Sequence, residues 1–418
     1  MRKIISILLA FTFIICMSSG CKSKKEDTSS SKNPQASEKD ASEDPNSGTP
    51  ESEPPYYSEI LAKDGNLLGR IDGRASASAA DEGVFYSIFV PAEYQATATA
   101  QYHLFRESDG KDILLGTLEE QGYETIYSRV EMDGIVYTLA LTGNPNDEEP
   151  DSLWLLSFDL KNEKMEKVLV SENASPYAAM TAANGKVLIL VHEFGSPKCD
   201  KVLEFDSSSG TLQEILSFPS DGENTESLRG VYTDAEHLYL LRLTVKSGNP
   251  DELYLDTYDT AYTKTSERSL RELIFSEEYH GVASPYDEKA EIGMIVSGFA
   301  VWEDRYLYYE NFAVTRALLD LQTGKNLFAA DDNYSLSRGS GMPFFYYFDL
   351  GQAEPDQDVQ GIYELKNGAV EKKTLTPPDT RTMIRSISVS PNETWLVTYS
   401  DSAPRDAGTD ALVIWRES

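Results

Sequence analysis

From about residue 70 onward, the chain alternates between short runs of β-branched, aromatic and Leu residues and polar segments rich in Gly, Asn and Asp. The clearest unit is a tight turn followed at once by such a run. It recurs at 80–86, 131–137, 183–189, 234–240, 302–308 and 391–397. Asn-Gly and Asp-Gly pairs accept the positive φ angles that a two-residue hairpin requires. The pattern therefore predicts a series of β-hairpins.

A second hairpin usually follows each of these strands. The turns of these second hairpins lie at 108–110, 159–162, 208–210, 322–324 and 366–368. Two successive hairpins make a four-stranded unit, which is one blade of a β-propeller. The first three turns, at Gly83, Gly134 and Gly185, are 51 residues apart each time. A fixed period of this size is typical of a repeat array rather than of a sandwich or a barrel.

Counting these units predicts an all-β propeller of seven blades over residues 58–418. The units lie at about 70–118, 123–171, 175–218, 226–270, 291–330, 337–375 and 382–418. Six or eight blades stay open as alternatives, because the first turn of the sixth unit, near 344–348, is indistinct. The seventh unit ends early, after the strand 411–415, so closing the ring requires an outer strand from elsewhere. We predict that the hairpin 60–71 pairs there and joins the two ends of the domain.

One segment carries a family resemblance. Residues 386–397 (SISVSPNETWLV) resemble the strand, Ser-Pro-Asp-Gly turn and strand of WD40-like and TolB-like propellers. The match departs from that pattern at Asn392 and Glu393, which replace the usual Asp-Gly pair. The resemblance covers one blade, implies the propeller architecture and says nothing about activity.

The segment 265–281 interrupts the strand pattern. Leu270, Leu273 and Ile274, with charged residues before them, suit a short helix inserted between the fourth and fifth blades. Such an insertion is either a binding feature or a plain surface excursion, and we favour the excursion.

The N-terminus has the features of a bacterial export signal. A cationic start (MRK) precedes an apolar run from 4 to 17 and small residues at 18–20, which predicts a signal peptide over 1–20. Cys21 directly after Gly20 resembles the lipobox of bacterial lipoproteins, although Ser18 replaces the usual Leu. The resemblance implies that Cys21 is lipidated and becomes the mature N-terminus. The alternatives are a soluble secreted protein cleaved elsewhere in this segment and an uncleaved anchor helix.

A polar segment follows the predicted anchor. Between 22 and 55 only Ala36 and Ala41 are apolar, so this region has nothing to bury and we predict a disordered tether over 21–57. Two acyl chains on Cys21 would provide the double attachment that stable membrane anchoring requires. The Ser- and Lys-rich tether is similar to those of Gram-positive surface lipoproteins, which favours that location over a Gram-negative envelope.

The composition limits which partners and which cysteine chemistry we expect. The formal net charge of −32 argues against binding to nucleic acid. Of three cysteines, Cys16 lies in the signal peptide and Cys21 takes the lipid, so Cys199 stands alone and we expect neither a disulfide nor a cysteine metal cluster. We expect a monomer, with a membrane and an envelope protein, peptide or glycan as its partners.

The sequence offers no recognisable catalytic motif. Its four histidines, at 103, 192, 237 and 280, lack zinc-binding spacing, and each is expected to be an ordinary surface or core residue. Acidic clusters at 147–151, 331–332 and 354–358 are expected to be solvated loop charge, because Asp356 and Asp358 lack the glutamate of a calcium-binding EF-hand loop. We therefore predict no catalytic, cofactor-binding or metal residue, and Cys21 is the one predicted functional position.

Two functions are compatible with these observations. The first is a membrane-anchored, non-catalytic propeller that binds a protein, peptide or glycan. The second is an envelope polysaccharide or peptide hydrolase or lyase with carboxylates in the propeller funnel. Because propellers host both kinds of function, the fold does not decide between them.

Overall fold

The computed structural model describes residues 57–73, 75–91, 98–118, 122–143, 151–175, 177–193, 199–219, 224–234, 236–246, 252–270, 273, 296–311, 316–327, 334–338, 344–349, 362–373, 377, 379, 381, 383–400 and 409–416. The predicted signal peptide, Cys21 and all but the last residue of the predicted tether lie outside these residues. The acidic clusters at 331–332 and 354–358 also lie outside them.

Strands form the regular structure of this part. They assemble into four sheets of four strands, one of five and one of eight, and the eight-stranded sheet consists of two four-stranded units joined at the Ala174–Glu193 pair. Blades 1 and 2 are β3 (Ala75–Ala80), β4 (Gly83–Pro91), β5 (Ala98–Arg106) and β6 (Lys111–Leu118), then β7 (Gly122–Met132), β8 (Ile135–Thr142), β9 (Asp151–Asp159) and β10 (Lys164–Ala174). Blades 3 and 4 are β11 (Ala179–Ala183), β12 (Lys186–Glu193), β13 (Cys199–Asp206) and β14 (Thr211–Pro219), then β15 (Asn224–Thr233), β16 (Leu238–Lys246), β17 (Glu252–Tyr258) and β18 (Lys264–Ser269).

The remaining strands complete the ring. Blades 5 and 6 are β19 (Val296–Trp302), β20 (Tyr306–Asn311), β21 (Arg316–Asp320) and β22 (Lys325–Asn326), then β23 (Tyr334–Arg338), β24 (Phe344–Asp349), β25 (Ile362–Lys366) and β26 (Ala369–Lys373). Blade 7 combines β27 (Met383–Val389), β28 (Thr394–Ser400) and β29 (Asp410–Arg416) with the N-terminal strands β1 (Tyr57–Ala62) and β2 (Leu67–Asp72). These seven units confirm the predicted all-β propeller, its blade number and, within a few residues, its blade boundaries.

The N-terminal hairpin closes the ring, as predicted. In blade 7 the strand order is β2-β1-β29-β28-β27. Strand β1 lies parallel to β29, with Ser58 opposite Asp410 and Ala62 opposite Ile414. The parallel direction of β1 is a feature that the sequence did not indicate. Together β1 and β2 pair the last sheet edge of the C-terminal blade, which would otherwise be exposed.

Turn chemistry explains why the hairpins form where they do. Asp133–Gly134 and Asn184–Gly185 both have positive φ at their two central positions, as a two-residue hairpin requires. At the matching turn of blade 5, Glu303 and Asp304 have φ of 55° and 48° without a glycine. A tight hairpin therefore recurs at this position even where the local residues do not favour it.

The predicted helix at 265–281 is wrong in its first part. Residues 265–269 belong to β18, the outer strand of blade 4, which pairs with β17. Every side chain of β18 is exposed, so this strand has no apolar alternation to mark it. Leu270 is buried in the apolar core between blades 4 and 5, and Leu273 is helical. Most of the segment from 271 to 281 lies outside the described residues.

Apolar cores fill the seams between neighbouring blades. Along β16, Leu240 packs on blade 3 with Leu190, whereas the next residue, Leu241, packs on blade 5 with Leu307. This two-residue alternation lets each blade contribute to two cores. Between blades 7 and 1 the packing is so close that a Cβ on Gly69 of β2 would lie 2.5 Å from the Phe105 ring.

The two ends of the ring differ in their connections. Strands one and two, and strands three and four, of each blade are joined at one end by turns of two to five residues. We call this the turn end. The other connections run from two residues to 26 residues, the longest between β18 and β19. We call the end where they lie the long-connection end.

Arg381 fastens the closing strand at the long-connection end. Arg381 is 6% exposed, and its guanidinium donates to Glu59 of β1 at 2.7 Å, to Thr409 at 3.2 Å and to Asp379. The ion pairs lower the pKa of Asp379 and, despite the opposing effect of burial, raise that of Arg381. This cluster joins the chain before β27, the chain before β29 and the N-terminal strand.

Replacing Arg381 by Gln should weaken the closure. The variant leaves two carboxylates without their shared cation, so we expect the free energy of unfolding in urea to fall by about 2 kcal/mol. Arg70→Gln removes the same charge from the N-terminal hairpin itself, but its partner Asp72 is 80% exposed, so a loss of about 0.5 kcal/mol or less is expected. Equal losses in the two variants would contradict a closing role for Arg381.

Candidate functional site

The innermost strands of the blades surround the axis of the propeller. In each four-stranded unit the first strand is at a sheet edge. Strand β11 contacts β7 and β15, β15 contacts β19, and β27 contacts β3. The Ala79 N–H of blade 1 also donates to Ser388 Oγ of blade 7 at 2.6 Å. The free edges of these strands therefore form the wall of a central channel.

The channel wall differs from blade to blade. In blade 1 the inner strand reads ASASAA over Ala75–Ala80, so only small side chains leave it. The inner strands of blades 2, 4 and 7 instead carry Arg129, Arg229 and Arg385, each half-buried. A guanidinium is planar and presents five donors, which suits it to carboxylate and phosphate oxygens.

Each of these arginines lies at an irregularity in its strand. In β15, Leu228 pairs with Arg242 and Gly230 with Leu241, so Arg229 is an extra residue. In β27 the pairing likewise passes from Ile384 to Ser386 and omits Arg385. Such β-bulges often lie beside functional sites, where they redirect a side chain.

The pairing of β7 is also irregular next to its arginine. It is interrupted after Glu124 and resumes at Arg129. The bulges in β15 and β27 and this interruption in β7 therefore place the three arginines where the regular strand pattern breaks.

Two of the arginines have contacts that define their positions. Arg129 donates to Ser76 O, Ser78 Oγ and Ser87 Oγ of blade 1 at 3.2–3.3 Å. Its guanidinium also lies 4.7 Å from the centre of the Phe85 ring. Arg385 donates from Nε to Ser400 Oγ at 2.7 Å. The acceptors in these contacts are neutral oxygens, which orient the guanidinium groups.

Two carboxylates lie nearer the ends of the inner strands. Glu226, at the long-connection end of β15, is 2.9 Å from Arg242. Glu131 is next to the last residue of β7 and accepts from the Asp81 N–H of blade 1 at 3.2 Å. The carboxylate of Asp81 in turn accepts two hydrogen bonds from Asn392 of blade 7. Blades 7, 1 and 2 are thus joined at the turn end through Asp81.

Glu131 is the most perturbed carboxylate of this region. Burial, followed by the charges of Asp81 and Glu82, raises its pKa to about 7. The hydrogen bond from the Asp81 N–H opposes this shift. A carboxyl group that exchanges its proton near neutral pH is a candidate functional group, although its contacts here are those of a junction between blades.

A second polar cluster fills part of the seam between blades 3 and 4. His192 Nδ1 is 2.8 Å from Asp200, whose other oxygen accepts from the Leu228 N–H at 2.7 Å. Arg242 of β16 donates from Nε to the buried carboxylate of Asp256 on β17 at 2.6 Å. These pairs connect strands and blades, which indicates a structural role.

The residues that the sequence analysis considered for chemistry are dispersed. His103 lies on β5 with Nδ1 3.3 Å from Asp112, and His237 is in a turn of blade 4 beside Asp234. Cys199 begins β13, is half-buried and is 3.2 Å from Ser217 Oγ. His280 and Cys21 lie outside the described residues. Within the described ranges, no three His, Cys, Asp or Glu side chains could hold a metal ion together.

The three arginines were missed by the sequence analysis. A signal exists, since each lies three or four residues before the last residue of the strand that precedes a predicted hairpin turn. Their common placement becomes visible only after the inner strands are known to line one channel.

The described part of the chain contains no helix with the length and the apolar character that crossing a membrane requires.

Because the pKa of Glu131 is raised in the folded protein, the free energy of unfolding should fall as the pH rises. Its pKa is higher in the folded than in the unfolded chain, so its stabilising contribution is complete below about pH 4.5 and is lost as the pH rises through 7. Between pH 5 and 8, the wild type should lose about 2 kcal/mol relative to Glu131→Gln, measured by urea unfolding.

Glu236→Gln is the matched control for this measurement. Glu236 is an exposed acid in the first turn of blade 4, and its removal should leave the pH dependence of the wild type unchanged. A parallel pH dependence of wild type and Glu131→Gln would contradict the raised pKa.

Comparison with known proteins gives limited information. No protein-family profile matches the sequence, and none of the curated proteins matches it. Among solved structures, the β-propeller domain of the trilobed protease from Pyrococcus furiosus is similar at 12% identity and a TM-score of 0.44, over 76% of this chain and 85% of that one. The acylaminoacyl peptidase of Pyrococcus horikoshii has 10% identity and a TM-score of 0.44, over 84% and 59%. A chain of the mitotic checkpoint complex has 10% identity and a TM-score of 0.42, over 96% and 99%. At these scores the likeness carries no argument, and the propeller assignment depends on the strand pairing described above.

Proposed function

We propose that this protein is an extracytoplasmic lipoprotein whose propeller is a non-catalytic binding module for an envelope protein, peptide or glycan. The observation that carries the proposal is the asymmetry of the ring. A closed scaffold has its long connections between strand ends that lie at one end of the ring. Loops held by a rigid scaffold are the usual location of binding residues.

The long-connection end has the variation that a specific binding surface needs. Its connections include 26 residues between β18 and β19 and 12 residues between β24 and β25. At the turn end the connections are uniformly short, and hydrogen bonds join several of them across blades. Insertions confined to one face of a repeat protein commonly form its binding face.

The buried carboxylates favour a binding role over a hydrolytic one. Several of them are engaged by a basic side chain: Asp256 by Arg242 at 2.6 Å, Asp320 by Arg305 at 2.7 Å and Glu204 by Lys186 at 2.8 Å. A glycosidase needs two carboxyl groups that face each other across a cleft. Carboxylates held in ion pairs within the blades are unsuited to that task.

A hydrolase is the second candidate, and Glu131 is the observation in its favour. With a pKa near 7 it could act as a general acid beside Asp81. Against this, the Asp81 carboxylate is occupied by Asn392 at a junction between blades. The binding role therefore ranks first.

The predicted tether connects to the propeller at one defined end. Strand β1 is parallel to β29, which runs from the long-connection end towards the turn end. The predicted tether from Cys21 therefore joins the domain at the long-connection end. The tether predicted over 21–57 has 37 residues and, as a flexible chain, a root-mean-square span of roughly 30–36 Å. The membrane that holds the anchor is most simply that of a Gram-positive cell.

Substitution of Cys21 tests the anchor. Full-length protein from host membranes should have an intact mass that begins at Cys21 and includes a diacylglyceryl group. Cys21→Ala should lose that increment and leave the membrane fraction, whereas Cys199→Ala should keep both. An unmodified chain in the medium would contradict the proposed address.

Incubation of the purified full-length chain with isolated host cell-wall material separates the two functions. A binding module should co-sediment with the material and release neither new reducing ends nor new peptide amines. Release of such products, abolished in Glu131→Gln, would favour the hydrolase instead.

A further inference from the structure

The seam between blades 3 and 4 changes from apolar to polar at the long-connection end. Leu188 and Leu190 of β12 pack in the apolar core of this seam. Because side chains alternate along a strand, His192 is the next residue of β12 on the same face. It is next to the last residue of the strand, and 19% of its side chain is exposed. The imidazole therefore lies at the mouth of the seam, at the end that carries the long connections.

One nitrogen of the His192 ring is held by two blades. Nδ1 is 2.8 Å from Asp200 Oδ1, and Asp200 Oδ2 accepts from the Leu228 N–H of blade 4 at 2.7 Å. A carboxylate that is itself held in place fixes the orientation and the tautomer of a histidine. In the neutral ring, a proton donated from Nδ1 to Asp200 leaves Nε2 as a hydrogen-bond acceptor.

The other nitrogen of the His192 ring lies at the surface. Among the described residues Nε2 has no hydrogen-bond partner, and it is not buried. His103 differs, since both of its ring nitrogens are buried. His192 therefore presents an oriented acceptor to solvent, whereas the contact of Nδ1 is structural.

Glu226 provides a second acceptor at the same mouth. It lies two residues before Leu228, whose N–H binds Asp200, and so nearer the long-connection end of β15. Its side chain is 47% exposed, and Oε1 accepts from Arg242 at 2.9 Å. Within the described part of the chain this is the one hydrogen bond of the carboxylate. The second oxygen can therefore accept from a ligand.

An exposed aromatic ring borders these acceptors. The Ser175 N–H donates to His192 O at 2.7 Å, and Ala179 pairs with Leu190. The chain between them, which includes Tyr177, therefore runs beside the end of β12. Ala179 packs towards the core shared with blade 4, and continuing the alternation places Tyr177 on that same side. The Tyr177 side chain is 39% exposed, so its ring is accessible next to His192.

We propose that this mouth of the seam between blades 3 and 4 binds a sugar unit of an envelope glycan through His192, Glu226 and Tyr177. Sugar hydroxyls donate to the imidazole nitrogen and the carboxylate oxygen, and the apolar C–H face of the sugar packs on the tyrosine ring. The Arg242 guanidinium beside Glu226 repels a cation at that carboxylate, which favours a neutral polyhydroxyl ligand over a basic peptide. The inference rests on the proposed binding function and names its ligand class.

Titration calorimetry with separated cell-wall components tests the site. Peptide-free glycan strands and the peptides released from them by an amidase are titrated separately into detergent-purified, full-length protein. We expect the glycan strands to bind. His192→Asn keeps a donor to Asp200 and loses Nε2, and Glu226→Ala loses the second acceptor, so each should lower the affinity about tenfold or more.

Two further comparisons separate the site from the fold. Tyr177→Ala should lose about tenfold in affinity, and Tyr177→Phe, which keeps the ring, should bind more tightly than Tyr177→Ala. His237→Asn makes the same change as His192→Asn at the turn end of blade 4 and should bind like the wild type. Far-ultraviolet circular dichroism should be unchanged in all of these variants.

The outcomes distinguish this site from the proposed function. Wild-type affinity in folded His192→Asn and Tyr177→Ala would overturn the site. Binding of the peptides or of the intact wall without binding of the glycan strands would overturn the sugar ligand and leave the binding function standing. If no wall component binds, both the site and the proposed function are refuted.

Discussion

The parallel pairing of β1 with β29 is the interaction on which the rest of the structure depends. A propeller blade shares its core with two neighbours, so an open ring would expose apolar surface on both sides of the gap. Here the N-terminal hairpin supplies the missing outer strands of blade 7, and β2 packs so closely on blade 1 that Gly69 has no space for a side chain. Because β1 pairs with β29, strands from the two ends of the domain lie in one sheet. Blade 1 begins directly after this hairpin.

Closure also determines where the functional surfaces lie. With the ring fixed, the inner strands face one axis, and the bulges at Arg229 in β15 and at Arg385 in β27 interrupt two of these strands. The turn end is held together by contacts such as that between Asp81 and Glu131. The opposite end carries the long connections and receives the chain from the predicted anchor. A rigid ring with one variable end is the arrangement expected of a binding module.

Much of this fold could be predicted because hairpin turns are local. Asp133–Gly134 and Asn184–Gly185 are residue pairs that readily adopt the positive φ angles of a tight hairpin turn. The turns and the period of the blades could therefore be predicted from the sequence. Strand β18 was not, since all its side chains are exposed and a polar strand resembles a loop or a charged helix end. The parallel direction of β1 depends on which sheet edge is free, a property of the whole ring.

The candidate site was less predictable for a related reason. Whether Arg229 is an extra residue depends on how β15 pairs with β16, and only the register reveals it. The pKa of Glu131 likewise arises from its contact with Asp81, 50 residues away in the chain. In each case the chemistry follows from non-local pairing, which no local pattern encodes.

The account depends most directly on the closed ring, and hydrogen–deuterium exchange of the full-length protein tests it. If β1 is an integral strand of blade 7, amides of Tyr57–Ala62 and Asp410–Arg416 should be protected to the same extent and exchange together, through global unfolding. Exchange of Tyr57–Ala62 within seconds, while Thr394–Ser400 stays protected, would show that the N-terminal strand is a loose tail and would contradict the closure.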